Sequence, residues 1–428
     1  MSLSRREFTK LGALGLAARI LPEGMANAQA ASPKVGYCVI GLGRIADHFM
    51  RGVSASSTSS ITGLVSGHRD KAERIAAQYG VPTSSIYSYE DMDRMRENKT
   101  IDAVYIALPN SMHAEYTIRS AKAGKHVLCE KPMSTSVNDA KAMIAACKTA
   151  NVKLMIAYRL HYEPTTQRAI KLVQGGAVGQ VQSIVSSNGF NESAGEWRLN
   201  KALSGGGPLL DVGIYCLNAM RYLTAEEPAK FAGFVSTIDH DGRFTSVEEN
   251  TSWTMQFPSG IQAVCTTTYG AQMPGFYRVY GSKGWLEVDE FGYQGLRLTA
   301  RYSNDNGSIT DLDELNPEKD PKQFTREADH FTECILTNRT PLTPGEEGLR
   351  DMEYMQAIYR SAGVTALVYS RSEPAVRASE SSLALFIALL LSLHGEPISG
   401  TDQPRSTHLG FGQIGLQIEI DQVLATGR

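Results

Sequence analysis

The spacing of apolar residues changes near Tyr158 and divides the chain in two. Before that point, short apolar runs alternate with amphipathic stretches. The apolar runs are KVGYCVI, ITGLVSG, IDAVYIALP, HVLCEKP and VKLMIAY, as expected of strands buried on both faces. Helical spacing fills the intervals, and Gly80 and Gly124 stand where helix C-termini are predicted. Repeated units of this kind predict an α/β fold, with a doubly wound parallel (Rossmann) sheet over residues 33–157.

The second part, residues 158–372, is predicted to be an α+β domain. A helix and a strand come first, and an apolar helix follows in GGGPLLDVGIYCLNAMRYL. Between residues 230 and 303, extended segments at hairpin spacing predict a large, mostly antiparallel open sheet. Two helical segments close the domain, and the C-terminal one is expected to pack back on the Rossmann domain. Residues 373–428 match no segment of a recognised pattern and form a divergent tail of unassigned role. The tail is interpreted either as a poorly ordered extension or as a contact in an oligomer.

Composition adds little that is unusual. Of the 428 residues 42% are hydrophobic and 20% charged, and the net charge is −3. This balance argues against nucleic acid or an anionic membrane surface as a partner and favours a small molecule. The six cysteines are scattered without a C-x-x-C motif and are predicted to be buried thiols, with no disulfide and no metal site. No stretch reaches the roughly 18 apolar residues of a membrane span.

The first 30 residues have the pattern of a twin-arginine export signal. SRREFTK at residues 4–10 precedes an apolar stretch and then ANAQA, with cleavage expected after Ala28 or Ala30. The pattern predicts the twin-arginine machinery as a partner, a periplasmic location, and no membrane anchoring after signal cleavage. Because this route carries folded proteins, a cofactor bound in the cytoplasm can cross with the chain.

A G-x-G-x-x-A motif follows the first strand and opens the first helix. Its glycines allow a tight turn and let backbone N–H groups approach a pyrophosphate at the helix N-terminus. In this context the motif predicts a dinucleotide-binding site. Its residues are Gly41, Leu42, Gly43, Arg44, Ile45 and Ala46.

The end of the second strand bears on the choice of dinucleotide. Ser66 stands where a ribose-binding carboxylate is usual, and His68, Arg69 and Lys71 follow. Hydroxyl and cationic groups accept a 2′-phosphate that a carboxylate repels, so NADP is favoured over NAD. Asp70 is the residue here that favours NAD.

Two further segments carry candidate catalytic residues. CEKP, at residues 129–132, ends a predicted parallel strand, where open α/β sheets bind ligands. Asp211 and Tyr215 follow Pro208, a favourable first helical residue, and their spacing places them on one face of a helix. A phenol ionises at about pH 10, so a proton-transferring tyrosine needs a nearby cation. Lys131 of the CEKP segment is a candidate for that cation.

Taken together, these segments resemble the Gfo/Idh/MocA oxidoreductase family. In chain order the matching segments are GLGRIA, VSGHRDKA, AVYIALPNSMHAEYTIRSAKAGKHVLCEKPM, KLMIAYRLHYEP, EWRL, GGGPLLDVGIYCLN and PGEEG. They extend from about Val35 to about Ala366. Within the family they are most similar to the branch of periplasmic glucose-fructose oxidoreductases and related aldose oxidoreductases; many other branches carry histidine at the position of Tyr215.

The resemblance implies catalytic roles for Lys131, Asp211 and Tyr215. Tyr215 would move the proton of the sugar C1 hydroxyl while a hydride passes to the nicotinamide. Lys131 would polarise that hydroxyl and stabilise the tyrosinate, and Asp211 would orient the sugar. Asp211, Tyr215, His161 and Tyr162 are accordingly the substrate-binding candidates. Cofactor-binding residues are also implied beside the glycine motif: Ser66, Arg69, Lys71, Tyr89, Leu108, Asn110, His113, Glu130, Lys131, Arg159, Trp197 and Arg198.

One departure from the family concerns the segment before the first strand. The relative with the best-known architecture has a long proline-rich arm there, which reaches a neighbouring subunit and helps to cover the cofactor. Here only a few residues separate Ala30 from Lys34. A homo-oligomer, dimer or tetramer, is still expected, but the short segment argues against assembly and cofactor retention through such an arm.

The function expected from these features is NADP(H)-dependent oxidation of a glucose-like aldose to its lactone, with reduction of a second sugar and internal recycling of the cofactor. One alternative is an aldose dehydrogenase or ketose reductase with exchangeable NADP, which the short arm supports. Another is an NAD-dependent glycosidase of the same superfamily, against which Tyr215 counts. The presence of Lys131, Asp211 and Tyr215 disfavours a non-catalytic sugar or nucleotide sensor.

Overall fold

The Rossmann half of the chain forms a parallel sheet from its buried apolar runs. The computed structural model describes residues 34–364, so the predicted signal (1–30) and tail (373–428) lie outside the described residues. The strands of this sheet are β1 (Val35–Ile40), β2 (Ser59–Val65), β3 (Ile86–Tyr87), β4 (Ala103–Ile106), β5 (His126–Glu130) and β6 (Leu154–Ala157). They pair in parallel in the order β3-β2-β1-β4-β5-β6. Every residue of β1, β4 and β6 is buried, because helices pack over the sheet.

The helices between these strands begin and end at the residues that the sequence favours. They are α1 (Arg44–Ser54), α2 (Arg69–Tyr79), α3 (His113–Lys122) and α4 (Val137–Thr149). Gly80 ends α2 in the left-handed conformation, with φ of 69°. Ser136 caps α4 by accepting a hydrogen bond from the backbone N–H of Asp139.

The second half is built on a larger sheet. Its strands are β7 (Val181–Gly189), β8 (Lys230–Ser236), β9 (Asn250–Gln256), β10 (Gln262–Thr268), β11 (Met273–Gly281), β12 (Gly284–Asp289), β13 (Arg297–Ser303) and β14 (Ile309–Leu315). They lie in the order β14-β13-β12-β11-β7-β10-β9-β8, and within residues 34–364 the β7–β10 pair is the single parallel pair of this sheet. The predicted fold class, a Rossmann sheet followed by a mostly antiparallel open sheet, is confirmed.

Helices cover one face of this second sheet. Those that contact it are α5 (Pro164–Gln174), α7 (Ile214–Thr224) and α9 (Gly345–Ser361). The other helices of this half are α6 (Lys201–Ser204) and α8 (Lys322–Leu336). Trp253 and Cys265 on the covered face are buried, whereas Phe234, Val264 and Tyr280 on the other face are exposed. All six cysteines are buried and free, as predicted.

The helix predicted over GGGPLLDVGIYCLNAMRYL is not α-helical throughout. Residues Leu209–Gly213 form a π-helical turn that leads into α7. The prediction of a helix did not specify this turn, because apolar spacing does not distinguish a single turn closed by i→i+5 bonds from one closed by i→i+4 bonds.

Helix α8 returns to the Rossmann half. The hydroxyl of Tyr37 in β1 donates to the carbonyl of Ala328 at 3.2 Å. The hydroxyl of Thr325 donates to the carbonyl of Gly52 in α1 at 3.0 Å. Helix α8 therefore packs where β1 and α1 meet.

Among residues 34–364 no helix combines the length and apolar character needed to cross a membrane. In the same range no group of His, Cys, Asp and Glu side chains is arranged to hold a metal ion.

Candidate active site

Two adjoining cavities open near the carboxyl ends of the Rossmann strands, where ligands bind in open α/β sheets. The first, of about 380 Å³, is bordered by the glycine motif. The second, of about 530 Å³, is bordered by the CEKP turn and by residues of the second half. Both cavities are bordered by Arg44, Ile45, Leu108, Trp197 and Arg198. A ligand that occupies both would extend from the glycine motif to Lys131.

The backbone of the glycine motif is shaped to receive a phosphate. Gly41 has φ of +86°, and a Cβ there would lie 2.5 Å from the carbonyl oxygen of Ala107. No side chain caps the first turn of α1, which follows Gly43, so its N–H groups are free to bind an anion. A Cβ at Gly43 would meet no atom within 4 Å, so the space beside the helix N-terminus is open. The residues present therefore fit the pyrophosphate of a dinucleotide.

The far end of the first cavity is polar and partly cationic. Ser66, His68 and Lys71 border it. Asp70 does not; its carboxylate lies 3.6 Å from the guanidinium of Arg74, on the exposed side of α2. The acidic residue that favoured NAD is therefore outside the cavity, while the groups suited to a 2′-phosphate border it.

Lys131 and Asp211 form an ion pair between the two halves of the chain. Lys131 follows β5, and Asp211 lies on the π-helical turn before α7. The ammonium of Lys131 donates to Asp211 Oδ1 at 3.0 Å and to the Asp211 carbonyl oxygen at 2.7 Å. Because an ammonium has three N–H donors and no other described residue accepts from it, one donor remains for a ligand in the second cavity.

The Asp211 carboxylate is held by further donors on its other side. Its Oδ2 accepts from Arg198 Nε at 2.8 Å and from the Tyr269 hydroxyl at 2.9 Å. Burial opposes its ionisation, but the charges of Lys131 and Arg198 outweigh burial and hold the pKa of Asp211 well below its usual range. With three side-chain donors bound, this carboxylate serves first to fix Lys131 and has little capacity left for a sugar hydroxyl.

Burial also disfavours the charged form of Lys131, but its neighbours reverse the effect. The negative charges of Tyr215 as a phenolate, Asp211 and Glu130 raise the pKa of Lys131 above its ordinary value. Lys131 and Asp211 are therefore both ionised throughout the physiological pH range.

Two cations lie against the ring of Tyr215. Lys131 Nζ is 4.8 Å and Arg159 Cζ is 5.2 Å from the ring centre. The ring stacks on Phe291, with 5.7 Å between centroids. Arg159 is fixed by donating to the side chain of Gln323 and to the carbonyl of Phe291, both at 2.5 Å. Paired cations of this kind stabilise negative charge that develops on a phenol during proton transfer.

Glu130 connects this site to the core of the Rossmann sheet. Its Oε1 accepts from the Tyr105 hydroxyl at 2.5 Å, and its Oε2 accepts from the backbone N–H of Lys131 at 3.1 Å. Burial raises the pKa of Glu130. The side chain borders the second cavity and fixes the turn that carries Lys131.

Most of the residues predicted from the sequence border one of the two cavities. The first is bordered by Gly41, Leu42, Gly43, Arg44, Ile45, Ser66, Lys71, Tyr89, Leu108, Trp197 and Arg198. The second is bordered, beside the shared residues, by Asn110, Glu130, Lys131, Arg159, Asp211 and Tyr215.

Arg69 and His113 are not placed in either cavity. Arg69 Nε donates to Glu73 at 2.8 Å, and its Nη1 donates to the carbonyl of Ile86 at 3.1 Å. His113 is buried, with its ring nitrogens 2.8 Å and 2.9 Å from the carbonyl oxygens of Pro132 and Leu108. Their assignment as cofactor contacts is corrected: Arg69 stabilises the α2 region, and His113 positions two segments that border the cavities.

His161 and Tyr162 are likewise not brought to the site. His161 Nε2 lies 2.8 Å from Asn218 Oδ1, and the Tyr162 hydroxyl lies 3.2 Å from that of Thr343. A tight turn over Arg159–Tyr162 directs Arg159 to the cavity and the later side chains into the core. The interpretation of His161 and Tyr162 as sugar contacts is therefore corrected to a packing role.

Several residues that border the second cavity were not predicted. They lie at or after the carboxyl ends of β7 and β12, on α1 or, for Val212, on the π-helical turn beside Asp211. They are His48, Asn188, Phe190, Glu192, Val212, Phe291 and Tyr293. Tyr269, which binds Asp211, follows β10 and was also missed. Position at a strand end is the one signal that the sequence offers for this group.

The fold and the two cavities together define a dinucleotide-dependent oxidoreductase with its reacting groups at the junction of two domains. Residues 35–158 match the model of the Gfo/Idh/MocA oxidoreductase family with an NAD-binding Rossmann fold, and residues 166–287 match the C-terminal domain model of that family. The chain belongs to the Gfo/Idh/MocA oxidoreductase family.

Individual relatives support this assignment. The D-xylose 1-dehydrogenase [NADP(+)] of Haloarcula marismortui is 30% identical over 343 residues, covering 78% of this chain and 92% of that protein. D-xylose 1-dehydrogenase (NADP(+)) 2 of Haloferax volcanii is 29% identical over 317 residues, covering 73% of this chain and 93% of that protein. Among solved structures, aldose-aldose oxidoreductase from Caulobacter crescentus, complexed with glycerol, is 44% identical with a TM-score of 0.73, covering 77% of this chain and 98% of that chain. The predictions of the family and of an oxidoreductase are confirmed.

Proposed function

We propose that this protein is an NADP(H)-dependent sugar oxidoreductase that oxidises a glucose-like aldose to its lactone and reduces a second sugar in the same site, with the cofactor retained between the two steps. The observation that carries this proposal is the meeting of Lys131, Asp211 and Tyr215 at a cavity that adjoins the dinucleotide cavity. The named activities of the relatives, D-xylose dehydrogenases and an aldose-aldose oxidoreductase, support a sugar as the substrate.

NADP is the proposed cofactor because of the groups at the end of the first cavity. Ser66, His68 and Lys71 provide one hydroxyl and two groups able to donate to a 2′-phosphate. Two of the relatives are named as NADP(+) enzymes. Bound NADP supplies a hydride acceptor in its oxidised form and a hydride donor in its reduced form.

The protein's own residues manage the proton. In aldose oxidation, the C1–H electron pair leaves as hydride and the O1 proton passes to the phenolate oxygen of Tyr215, so C1=O of the lactone forms. The third N–H of Lys131 holds O1, and Asp211 holds Lys131 in place. In the second step Tyr215 returns the proton to the carbonyl oxygen of the second sugar, whose carbon gains the hydride. Proton and hydride balance over the cycle, so no external reductant is needed.

Export through the twin-arginine pathway to the periplasm belongs to the same proposal. SRREFTK at residues 4–10 supports it, and a cofactor loaded in the cytoplasm has to stay bound where no NADPH is regenerated. A homo-oligomer is proposed as well. Exposed apolar residues on the outer face of the second sheet, Phe234, Val264 and Tyr280, support an association surface there.

The test is the absorbance of the purified protein in the reduced-nicotinamide band, before and after addition of glucose without cofactor. Retained NADP predicts that the band appears with glucose and disappears when a ketose or second aldose is added. The matched control is Tyr215→Phe, which keeps the ring but removes the hydroxyl; it should carry cofactor and show no change. Protein that contains no nucleotide and turns over only with added NADP would overturn cofactor retention.

That contrary result would favour a second candidate, an aldose dehydrogenase with exchangeable NADP. The observation in its favour is that the two NADP(+)-dependent relatives are named as dehydrogenases rather than as coupled oxidoreductases.

A further inference from the structure

Three carboxylates border the second cavity, and they differ in how many of their oxygens are engaged. Both oxygens of Asp211 accept from side chains, and both oxygens of Glu130 accept hydrogen bonds. Glu192 accepts a single one, from the backbone N–H of Ser193 to Oε1 at 2.8 Å. Its Oε2 accepts from no residue within 34–364, so it is the acceptor that this cavity leaves open to a ligand.

The backbone of Glu192 is held on both sides. It lies on a strap, residues 191–199, that follows β7 and borders both cavities through Trp197 and Arg198. Its backbone N–H donates to the carbonyl of Tyr269 at 2.8 Å, and its carbonyl accepts from Arg243 at 2.8 Å. With 7% of its surface exposed, the residue is nearly buried.

The chemistry around this oxygen suits a hydroxyl group. A nearly buried carboxylate with a free oxygen needs donors. Arg198 already donates to Asp211, and Arg243 donates to the backbone carbonyl of Glu192 rather than to its carboxylate. Phe190 borders the cavity beside it and provides an apolar surface of the kind on which a sugar ring packs. Burial raises the pKa of Glu192 by more than the Ser193 N–H and the charge of Arg198 lower it.

We propose that Glu192 accepts hydrogen bonds from hydroxyl groups of the bound sugar remote from the oxidised carbon, and that it thereby sets the preference among aldoses. Lys131 and Tyr215 engage the reacting C1 end, whereas Glu192 lies on a different element of the same cavity. This inference rests on the proposed function and adds a substrate-specificity residue to it.

The experiment compares deoxy sugars in the unaltered protein, Glu192→Gln and Glu192→Ala. The kcat/KM for glucose is measured beside those for its 2-, 3-, 4- and 6-deoxy analogues. In the unaltered protein, loss of the hydroxyl that Glu192 binds should lower kcat/KM by about 10- to 100-fold. In Glu192→Ala the same deoxy change should cost less than about threefold, because the partner is already missing. Glu192→Gln keeps the size of the side chain and should give an intermediate loss.

Glu346→Gln, which removes one exposed negative charge at the start of α9, is the matched control and should show the unaltered pattern. Equal deoxy penalties in the unaltered protein and in Glu192→Ala, with the fold verified by circular dichroism, would overturn this inference while leaving the proposed function intact. Absence of any aldose oxidation by the unaltered protein would overturn both.

Discussion

Lys131 and Asp211 can each be replaced by an uncharged side chain of similar size, in Lys131→Met and Asp211→Asn. The structure predicts that Asp211→Asn is the less stable of the two variants and Lys131→Met the less active. Asp211 pairs with Lys131 at 3.0 Å and with Arg198 at 2.8 Å. Lys131→Met leaves a neutral Asp211–Arg198 pair and should destabilise the fold by about 1–3 kcal/mol, the cost of one unsatisfied buried acceptor. Asp211→Asn leaves two partly buried cations, Lys131 and Arg198, without the carboxylate that lies between them. It should cost more, about 3 kcal/mol.

Activity should follow the reverse order. Lys131→Met removes the group that polarises the substrate and should lower kcat/KM by about 10²- to 10⁴-fold. Asp211→Asn keeps the lysine but loosens its position, which should cost about 100-fold.

The assay for stability is equilibrium urea denaturation at pH 7 followed by circular dichroism, and the assay for activity is aldose oxidation with added NADP. The double variant Lys131→Met/Asp211→Asn tests whether uncompensated positive charge causes the loss of stability in Asp211→Asn. It removes one of the two uncompensated cations, so it should be more stable than Asp211→Asn alone by at least about 1 kcal/mol. The electrostatic reasoning is refuted if Lys131→Met proves the less stable single variant, or if the double variant gains nothing over Asp211→Asn.

Three further predictions concern the cofactor site and pH. Gly41→Ala should lower the free energy of unfolding by about 1–3 kcal/mol, because φ is +86° and the new Cβ would lie 2.5 Å from the Ala107 carbonyl oxygen. Gly43→Ala should change the free energy of unfolding by less than about 0.5 kcal/mol. It should nevertheless weaken NADP binding at least about tenfold in titration calorimetry, since the new methyl group fills open space at the helix N-terminus. Lys71→Ala should raise the Kd for NADP about tenfold and leave that for NAD unchanged, which parallel titrations would check. Burial lowers the pKa of His161, so below about pH 6.5 the unfolded chain takes up a proton that the folded protein does not. The free energy of unfolding should therefore fall as the pH drops, by at most about 1.4 kcal/mol per pH unit from this residue. Urea denaturation at pH 7 and pH 5 should show a smaller fall for His161→Gln.

The Rossmann half could be predicted from the sequence because its signals are local. A strand such as β1 is entirely buried and ends at Gly41, so its apolar run and its boundary are both visible. Strand β14 could not be predicted in the same way. Its apolar residues Ile309 and Leu315 are exposed, and ion pairs of Asp311 and Asp313 with arginines of β13 tie it to the sheet. An edge strand held by cross-strand charges carries no apolar alternation to detect.

In the candidate site too, residues in local motifs could be predicted and residues placed by tertiary contacts could not. Lys131, Asp211 and Tyr215 stand in motifs, so spacing and resemblance indicated them. Tyr269 stands in no motif, and its contact with Asp211 joins residues 58 positions apart. His161 shows the opposite failure: the resemblance implied a sugar contact, but a tight turn directs Arg159 to the cavity and His161 into the core. Motifs indicate which residues react, whereas the residues that orient them depend on tertiary contacts.

Contacts within residues 34–364 support the proposed retention of the cofactor. One contact across the mouth of the cavities is the Arg44–Glu196 ion pair, 3.6 Å apart with side chains 80% and 32% exposed. Such a pair contributes about 0–1 kcal/mol, less than the roughly 1.4 kcal/mol that slows dissociation tenfold. The stronger tie is Arg198, which joins the strap to Asp211 at 2.8 Å. Lifting the strap would remove the Arg198 donor from the Asp211–Lys131 pair, at a cost of about 1–3 kcal/mol, a factor of about 5 to 150. In the proposed mechanism, the carboxylate that positions Lys131 would thus also hold the strap over both cavities, so that the proposed retention would depend on the same charges as catalysis.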